Sequence, residues 1–299
     1  MKNFLPLIAL IALFYLIGCT SKQNDENSDS GTDTIGIETI TPENPDYSDS
    51  TAPVNWTRIE LNTTLGKLIL ALNPEQKIHS ENFIKLTKSG FYNGILFHRI
   101  VKDFMIQAGD PTSKTATLFD TLGAGGPGYT LASEIKNTVY HFRGALSAAR
   151  QSDEINPKRN SSGSQFFIVS GTKIDAPSYK KILEETAFNI FKRNPANRAT
   201  IEKGNMLYNS GDSIAFTAFE QTIKVKLLSI VDQIFASIPE EIKARYYYWG
   251  GAPNLDNEYT VFGKLISGYG VLDQIQGIPT NKIDRPNKDV RIISARVLP

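Results

Sequence analysis

Residues 97–111, FHRIVKDFMIQAGDP, place an arginine, a glutamine and a Phe-Met pair within one short span. Arg99 offers a planar, permanently charged fork of donors. Gln107 offers an amide, and Phe104 and Met105 stand between the two as large apolar groups. A fully buried strand would have to find partners for the guanidinium and the amide. A shallow site with an apolar floor and two fixed donors would use them as they are. A core strand with one snorkelling arginine also accommodates the stretch. Alternation from Phe97 to Val101 reads as a half-buried strand, and Gly109-Asp110-Pro111 is turn chemistry that ends it.

Three further stretches shift the balance towards a site: SSGSQFFIV at 161–169, NLDNEYTVFG at 254–263 and GALSAA at 144–149. With 97–111, and taken in chain order (97–111, 144–149, 161–169, 254–263), they resemble the cyclophilins, a family of peptidyl-prolyl cis-trans isomerases. The resemblance runs from about Trp56 to the C-terminus, with one long interruption. It implies a mainly β fold: a closed, eight-stranded antiparallel barrel capped by two helices, here with an inserted α-helical subdomain. It also implies roles. Arg99 matches the family's catalytic arginine, and Gln107 the glutamine that orients it and binds substrate backbone. Phe104, Met105, Phe167 and Leu255 match the proline pocket. Ala149 matches a position lining the backbone groove, where Gln165 would be a second donor. Tyr259 stands where many eukaryotic members carry a histidine and keeps an aromatic wall. Asn254 stands where they carry a tryptophan, which argues against strong cyclosporin binding. Arg150 replaces a neutral residue, which would bias clients towards acidic side chains.

Prolyl isomerisation breaks no covalent bond. Its barrier is amide resonance, about 18–20 kcal/mol. In the twisted transition state the proline nitrogen becomes a pyramidal lone pair that accepts a hydrogen bond. An apolar pocket for the ring, one donor for the nitrogen and others for the flanking carbonyls suffice, by differential binding of the transition state. No cofactor or metal is implied. His79, His98 and His141 lack metal-ligand spacing, and Asp153-Glu154 near Ser161-Ser162 lacks a strained nucleophile turn.

The positioning elements follow from periodicity. Residues 56–62 and 67–72 alternate around Thr63-Thr64-Leu65-Gly66, a hairpin signature. Residues 80–89 read as a helix with Ser80 as N-cap and Gly90 as stop. Residues 122–129, LGAGGPGY, lack the lysine of a phosphate loop and read as a flexible rim loop. Residues 144–149, 165–169, 259–266 and 290–297 read as strands, and 271–275 as a short helix. The interruption at 171–250 reads helical. Tyr179, Ile182, Leu183, Ala187, Ile190 and Phe191 form one stripe, and Ile214, Ala218, Val225, Leu228, Val231 and Phe235 a second. Asn194-Pro195 breaks the first helix, and Pro239 opens a third that Gly250 ends. The insertion is either a subdomain packed on itself and the barrel or a protein-partner surface, a reading favoured by the run Tyr246-Tyr247-Tyr248-Trp249.

Met1-Lys2 and an apolar run over residues 5–17 form a signal-peptide core too short to span a bilayer comfortably. It ends in Leu16-Ile17-Gly18-Cys19, which resembles a bacterial lipobox. That resemblance implies cleavage before Cys19, the chain's single cysteine, and lipidation of its thiol. Residues 20–50 hold eight acidic side chains and one lysine; such a segment reads as a disordered tether. Residues 51–299 carry 30 basic and 23 acidic groups without a basic stripe, which excludes a nucleic-acid reading. The expected organisation is a leader over 1–18, anchor and acidic tether over 19–54, barrel over 55–170, insertion over 171–250 and barrel over 251–299. The expected location is the bacterial cell envelope, lipid-anchored, on an outer membrane facing the periplasm or exposed at the surface. The expected clients are proline-containing exported polypeptides. The alternative is a non-catalytic peptide-binding or chaperone module whose clients are chosen by the insertion.

Overall fold

The computed structural model describes residues 53–299. The leader, Cys19 and nearly all of the tether lie outside the described residues. The alternating stretches at 56–72 form the expected hairpin, β1 (Thr57–Thr63) and β2 (Gly66–Leu72), closed at the Thr63–Gly66 pair. Period-2 alternation sends Ile59, Leu61, Leu68, Leu70 and Leu72 to one face, where all are buried in a single core.

Six more strands complete the sheet: β3 (Arg99–Val101), β4 (Met105–Ala108), β6 (Ala145–Ala148), β8 (Phe166–Val169), β9 (Val261–Ser267) and β10 (Ile292–Val297). Two short pieces, β5 (Thr130–Leu131) and β7 (Ser161–Ser162), pair separately. The main sheet runs β10-β1-β2-β9-β6-β8-β4-β3, antiparallel throughout. The expected closed barrel is corrected here: the sheet is a curled half-barrel, open between β10 and β3. Those edges are joined by a Leu96–Arg291 bridge and by bonds from irregular backbone, Gly94 N–H to Ile292 O at 2.7 Å and Phe97 N–H to Val290 O at 2.9 Å. The backbone that meets the β10 edge lies before β3, at residues 94–97, and is not part of a strand.

Two helices close the core as expected. Helix α1 (Lys77–Lys88) contributes Phe83 and Leu86. It begins three residues before the expected start, and Ser80 is not its cap. The carboxylate of Glu134, 55 residues away, accepts from the N–H groups of Ile78 (3.2 Å) and His79 (3.0 Å), so a distant acid satisfies the helix start. Ser80 instead donates its hydroxyl to Asn73 O at 2.7 Å.

Residues 171–250, expected to be an insertion, hold four α-helices: α2 (Ala176–Arg193), α3 (Arg198–Ser210), α4 (Ser213–Ser237) and α5 (Glu240–Trp249). The Asn194-Pro195 break and the Pro239 and Gly250 limits are as expected; α3 has no counterpart in the expected elements. The last helix of the chain, α6 (Tyr269–Gln276), buries Leu272 and Ile275 in the sheet core. By internal contacts the described residues divide into two compact units, 186–233 and the remainder. In the remainder, the start of α2 and all of α5 join the sheet: Tyr179 meets Phe235 at 5.7 Å and Tyr246 at 5.2 Å between ring centroids. Within 186–233, Phe219 packs where a side chain on Gly204 would stand. Periodicity found α4, but the buried face is Ile223, Leu227 and Val231, whereas Ile214, Val225 and Leu228 are exposed.

Candidate active site

Alternation along β3, β4 and β8 sorts their side chains between two faces. Ile100, Ile106, Ala108, Phe166 and Ile168 point into the sheet core. Met105, Phe167 and Val169 point outwards into a second apolar cluster with Ala145, Ala252, Leu255 and Val261, flanked by Phe104, Ala149 and Tyr259. Six of the seven expected pocket and groove residues, all but Gln165, therefore meet in one place. A register slip of one residue would send them into the core and the core into the site.

Arg99 sits on this outer face because 97–111 is two strands and not one. A turn at Lys102-Asp103, closed by Phe104 N–H to Val101 O at 3.1 Å, folds β3 back on β4, with Asp103 in the left-handed region at φ 59°. The ladder then sets Arg99 opposite Gln107, and Gln107 opposite Phe167. Pairing does not make Gln107 the arginine's orienting partner. The guanidinium donates through Nε to Asp284 Oδ2 at 3.1 Å, and its Nη2 lies 3.1 Å from the same oxygen. Asp284 (φ 63°) stands on a tight turn whose carbonyl accepts from Ile100 N–H at 2.9 Å, which ties that turn to β3. The sequence reading missed Asp284, which is 185 residues from Arg99 and carries no local signal.

Gln107 donates to Gln165 Oε1 at 3.0 Å. Gln165, expected as a second donor to substrate, directs its own amide to the carbonyls of Gly123 (2.9 Å) and Gly125 (2.7 Å). It is a tie between strand and rim loop. The loop is anchored from beneath by Asp110, which is fully buried. Its carboxylate accepts from the N–H groups of Gly123 (2.6 Å), Gly125 (3.1 Å) and Thr112 (2.9 Å), and from the Thr112 hydroxyl (2.6 Å). Burial alone would raise its pKa, but these donors outweigh it and hold the carboxyl below its ordinary value. Gly125 is required because a Cβ there would strike the carboxylate. The Gly-Asp-Pro turn read as a strand stop is thus also the floor of the rim. Beneath the loop lies His98, whose pKa burial lowers to about 4.

The far wall is Tyr259, edge-on to Phe167 at 5.6 Å, with the Arg150 guanidinium 4.7 Å over its ring. Arg150 is not free for acidic clients, as the sequence had suggested. Its side chain is 5% exposed and paired with Asp153 and Glu258, and its Nε donates to Glu258 O at 2.9 Å. Burial raises the Tyr259 pKa, so its hydroxyl stays protonated. Among the described residues no His, Cys, Asp and Glu side chains group to hold a metal.

The family model described as cyclophilin type peptidyl-prolyl cis-trans isomerase/CLD matches residues 58–188 and 243–297, more than half the chain. A Streptococcus pyogenes protein provisionally named as a bifunctional phosphatase/peptidyl-prolyl cis-trans isomerase is 32% identical over 80% of this chain, which spans only 38% of that protein. A Staphylococcus haemolyticus protein provisionally named as a peptidyl-prolyl cis-trans isomerase is 30% identical over 81% of this chain and 92% of its own length. A crystal structure of a Cryptosporidium parvum cyclophilin aligns with a TM-score of 0.49 at 23% identity, covering 82% of this chain and 98% of that one. On the match of more than half its length to the family model, and on the two bacterial relatives, the chain belongs to the cyclophilin-type peptidyl-prolyl cis-trans isomerases, a family of enzymes.

Proposed function

We propose that this protein accelerates cis-trans isomerisation of X-Pro bonds in exported polypeptides. The observation that carries this reading is the single apolar cluster of Phe104, Met105, Phe167, Leu255 and Tyr259 on the face that also presents the half-exposed Arg99. In it the cluster receives the proline ring, and burying that ring contributes about 1.5–3 kcal/mol. The guanidinium donates to the proline nitrogen as it becomes pyramidal, and Gln107 holds a flanking carbonyl. The Arg99 donor meets a nitrogen lone pair that is localised only in the twisted transition state, so it lowers the barrier and not only the ground state. Exchange NMR of a short X-Pro peptide tests this. Wild type should exchange it far faster than the free peptide, and Arg99→Ala should lose about a hundredfold or more. Exchange no faster than the free peptide would remove the catalytic reading.

A peptide-holding module is the second reading. It draws on the exposed apolar side chains Ile214, Val225 and Leu228 on α4, and it gains weight only if that rate enhancement is missing. The lipobox ending in Cys19 supports attachment to a bacterial envelope membrane. Metabolic labelling with a radioactive fatty acid should mark the wild type and not Cys19→Ser.

A further inference from the structure

Helix α5 reaches the back of the apolar cluster through one carboxylate. Asp256 follows Leu255 directly and is mostly buried, with 12% of its side chain exposed. Its Oδ2 accepts from the Tyr246 hydroxyl on α5 at 2.7 Å. Its Oδ1 accepts from the backbone N–H of His141 at 2.8 Å and lies 3.0 Å from the His141 ring Nδ1. A carboxylate oxygen accepting there places the ring proton on Nδ1. The imidazole so oriented lies parallel to the Phe167 ring, 6.1 Å away at an interplanar angle of 12°, and edge-on to Tyr259 at 6.4 Å. Tyr246 and His141 are fully buried. The backbone repeats the connection: Phe142 and Gly251 form a bridge, and Ala252 N–H donates to His141 O at 2.9 Å.

We propose that Tyr246 and Asp256 are positioning residues for the proline pocket, so that helix α5 sets the orientation of Phe167 and Tyr259 through His141. This rests on the isomerase reading above. An aromatic floor holds the proline ring equally in ground and transition states, so loosening it should raise KM and leave kcat nearly unchanged. Loss of the arginine acts the other way, on kcat. The two failures are therefore distinguishable.

The experiment compares four full-length proteins by peptide exchange kinetics. Tyr246→Phe removes only the hydroxyl. Tyr179→Phe is its matched control: Tyr179 is equally buried and packs on Tyr246, yet its hydroxyl has no hydrogen-bond partner among the described residues. Arg99→Ala marks loss of chemistry, and wild type sets the scale. The expected result for Tyr246→Phe is a KM raised about three- to tenfold, with kcat within twofold of wild type. The His141 Nδ1–H signal in the proton NMR spectrum should exchange faster with solvent, and Tyr179→Phe should match wild type in all three. An unchanged KM and His141 signal in Tyr246→Phe would overturn the proposal. So would equal KM increases in both tyrosine variants, which would mark general loosening. An inactive wild type would instead overturn the isomerase reading.

Discussion

At the residue scale, Arg99 is half exposed and its ion-pair partner among the described residues is a carboxylate that is itself 39% exposed. An ion pair in such surroundings contributes under about 1 kcal/mol to stability, so its value lies in direction. Held through Nε and Nη2 by one oxygen of Asp284, the guanidinium keeps its remaining donors for substrate. Asp284→Ala should therefore leave the melting temperature within a few degrees of wild type and lower kcat several-fold. Asp284→Glu should recover part of that loss. Peptide exchange with parallel thermal melts checks both; a kcat equal to wild type would show that the arginine needs no carboxylate. Arg99→Lys should not restore Arg99→Ala, because a point charge lacks the fork.

At the element scale, the rim loop depends on one buried acid and one buried imidazole. The sign of their pH dependence follows from their environments. His98 is buried with Asp110, Arg285 and Arg99 as its charged neighbours. Its folded pKa of about 4 lies below the unfolded value, so on acidification the unfolded chain takes up a proton first. Stability should fall as pH drops from about 6.5 to 4, by about 3 kcal/mol, and that particular loss should level off below. The Asp110 carboxyl, also depressed, adds a further loss as pH falls through its folded value. Urea melts at pH 7, 5 and 4 should show the first slope in wild type and its absence in His98→Gln. A flat wild-type profile would mean that the imidazole is hydrated.

At the scale of the whole molecule, the residues read as an insertion do not all behave as one. Tyr179 and Tyr246 are buried in the unit that contains the sheet, while 186–233 forms a separate compact unit. Replacing 186–233 by a flexible Gly-Ser linker should leave turnover of short X-Pro peptides within about twofold of wild type. Removing all of 171–250 should lower stability sharply, because it takes away the buried Tyr246 and the buried Tyr179 that packs on it. Each buried ring lost costs about 3–5 kcal/mol. Peptide exchange and calorimetry on the two deletions test this, and comparable stability would show that α5 is dispensable.

The sequence by itself determined what depends on local period and local chemistry. Alternation placed the hairpin and most strands, helical spacing placed α2 and α4, and Asn194-Pro195, Pro239 and Gly250 marked ends. Four motifs in order identified the family, and six pocket residues named from them lie together on one face. Tertiary structure decided what depends on partners far along the chain. The carboxylate at Arg99 comes from 185 residues away, the cap of α1 from 55, and the tie between Gln165 and the rim loop from 40 or more. Sequence spacing cannot record which donor meets which acceptor after folding. Nor could it tell the buried face of α4 from its exposed one, since a stripe shows amphipathicity but not what covers it. The same limit explains the open sheet: strand lengths are local, but whether two edges meet is settled by the turns and irregular backbone between them.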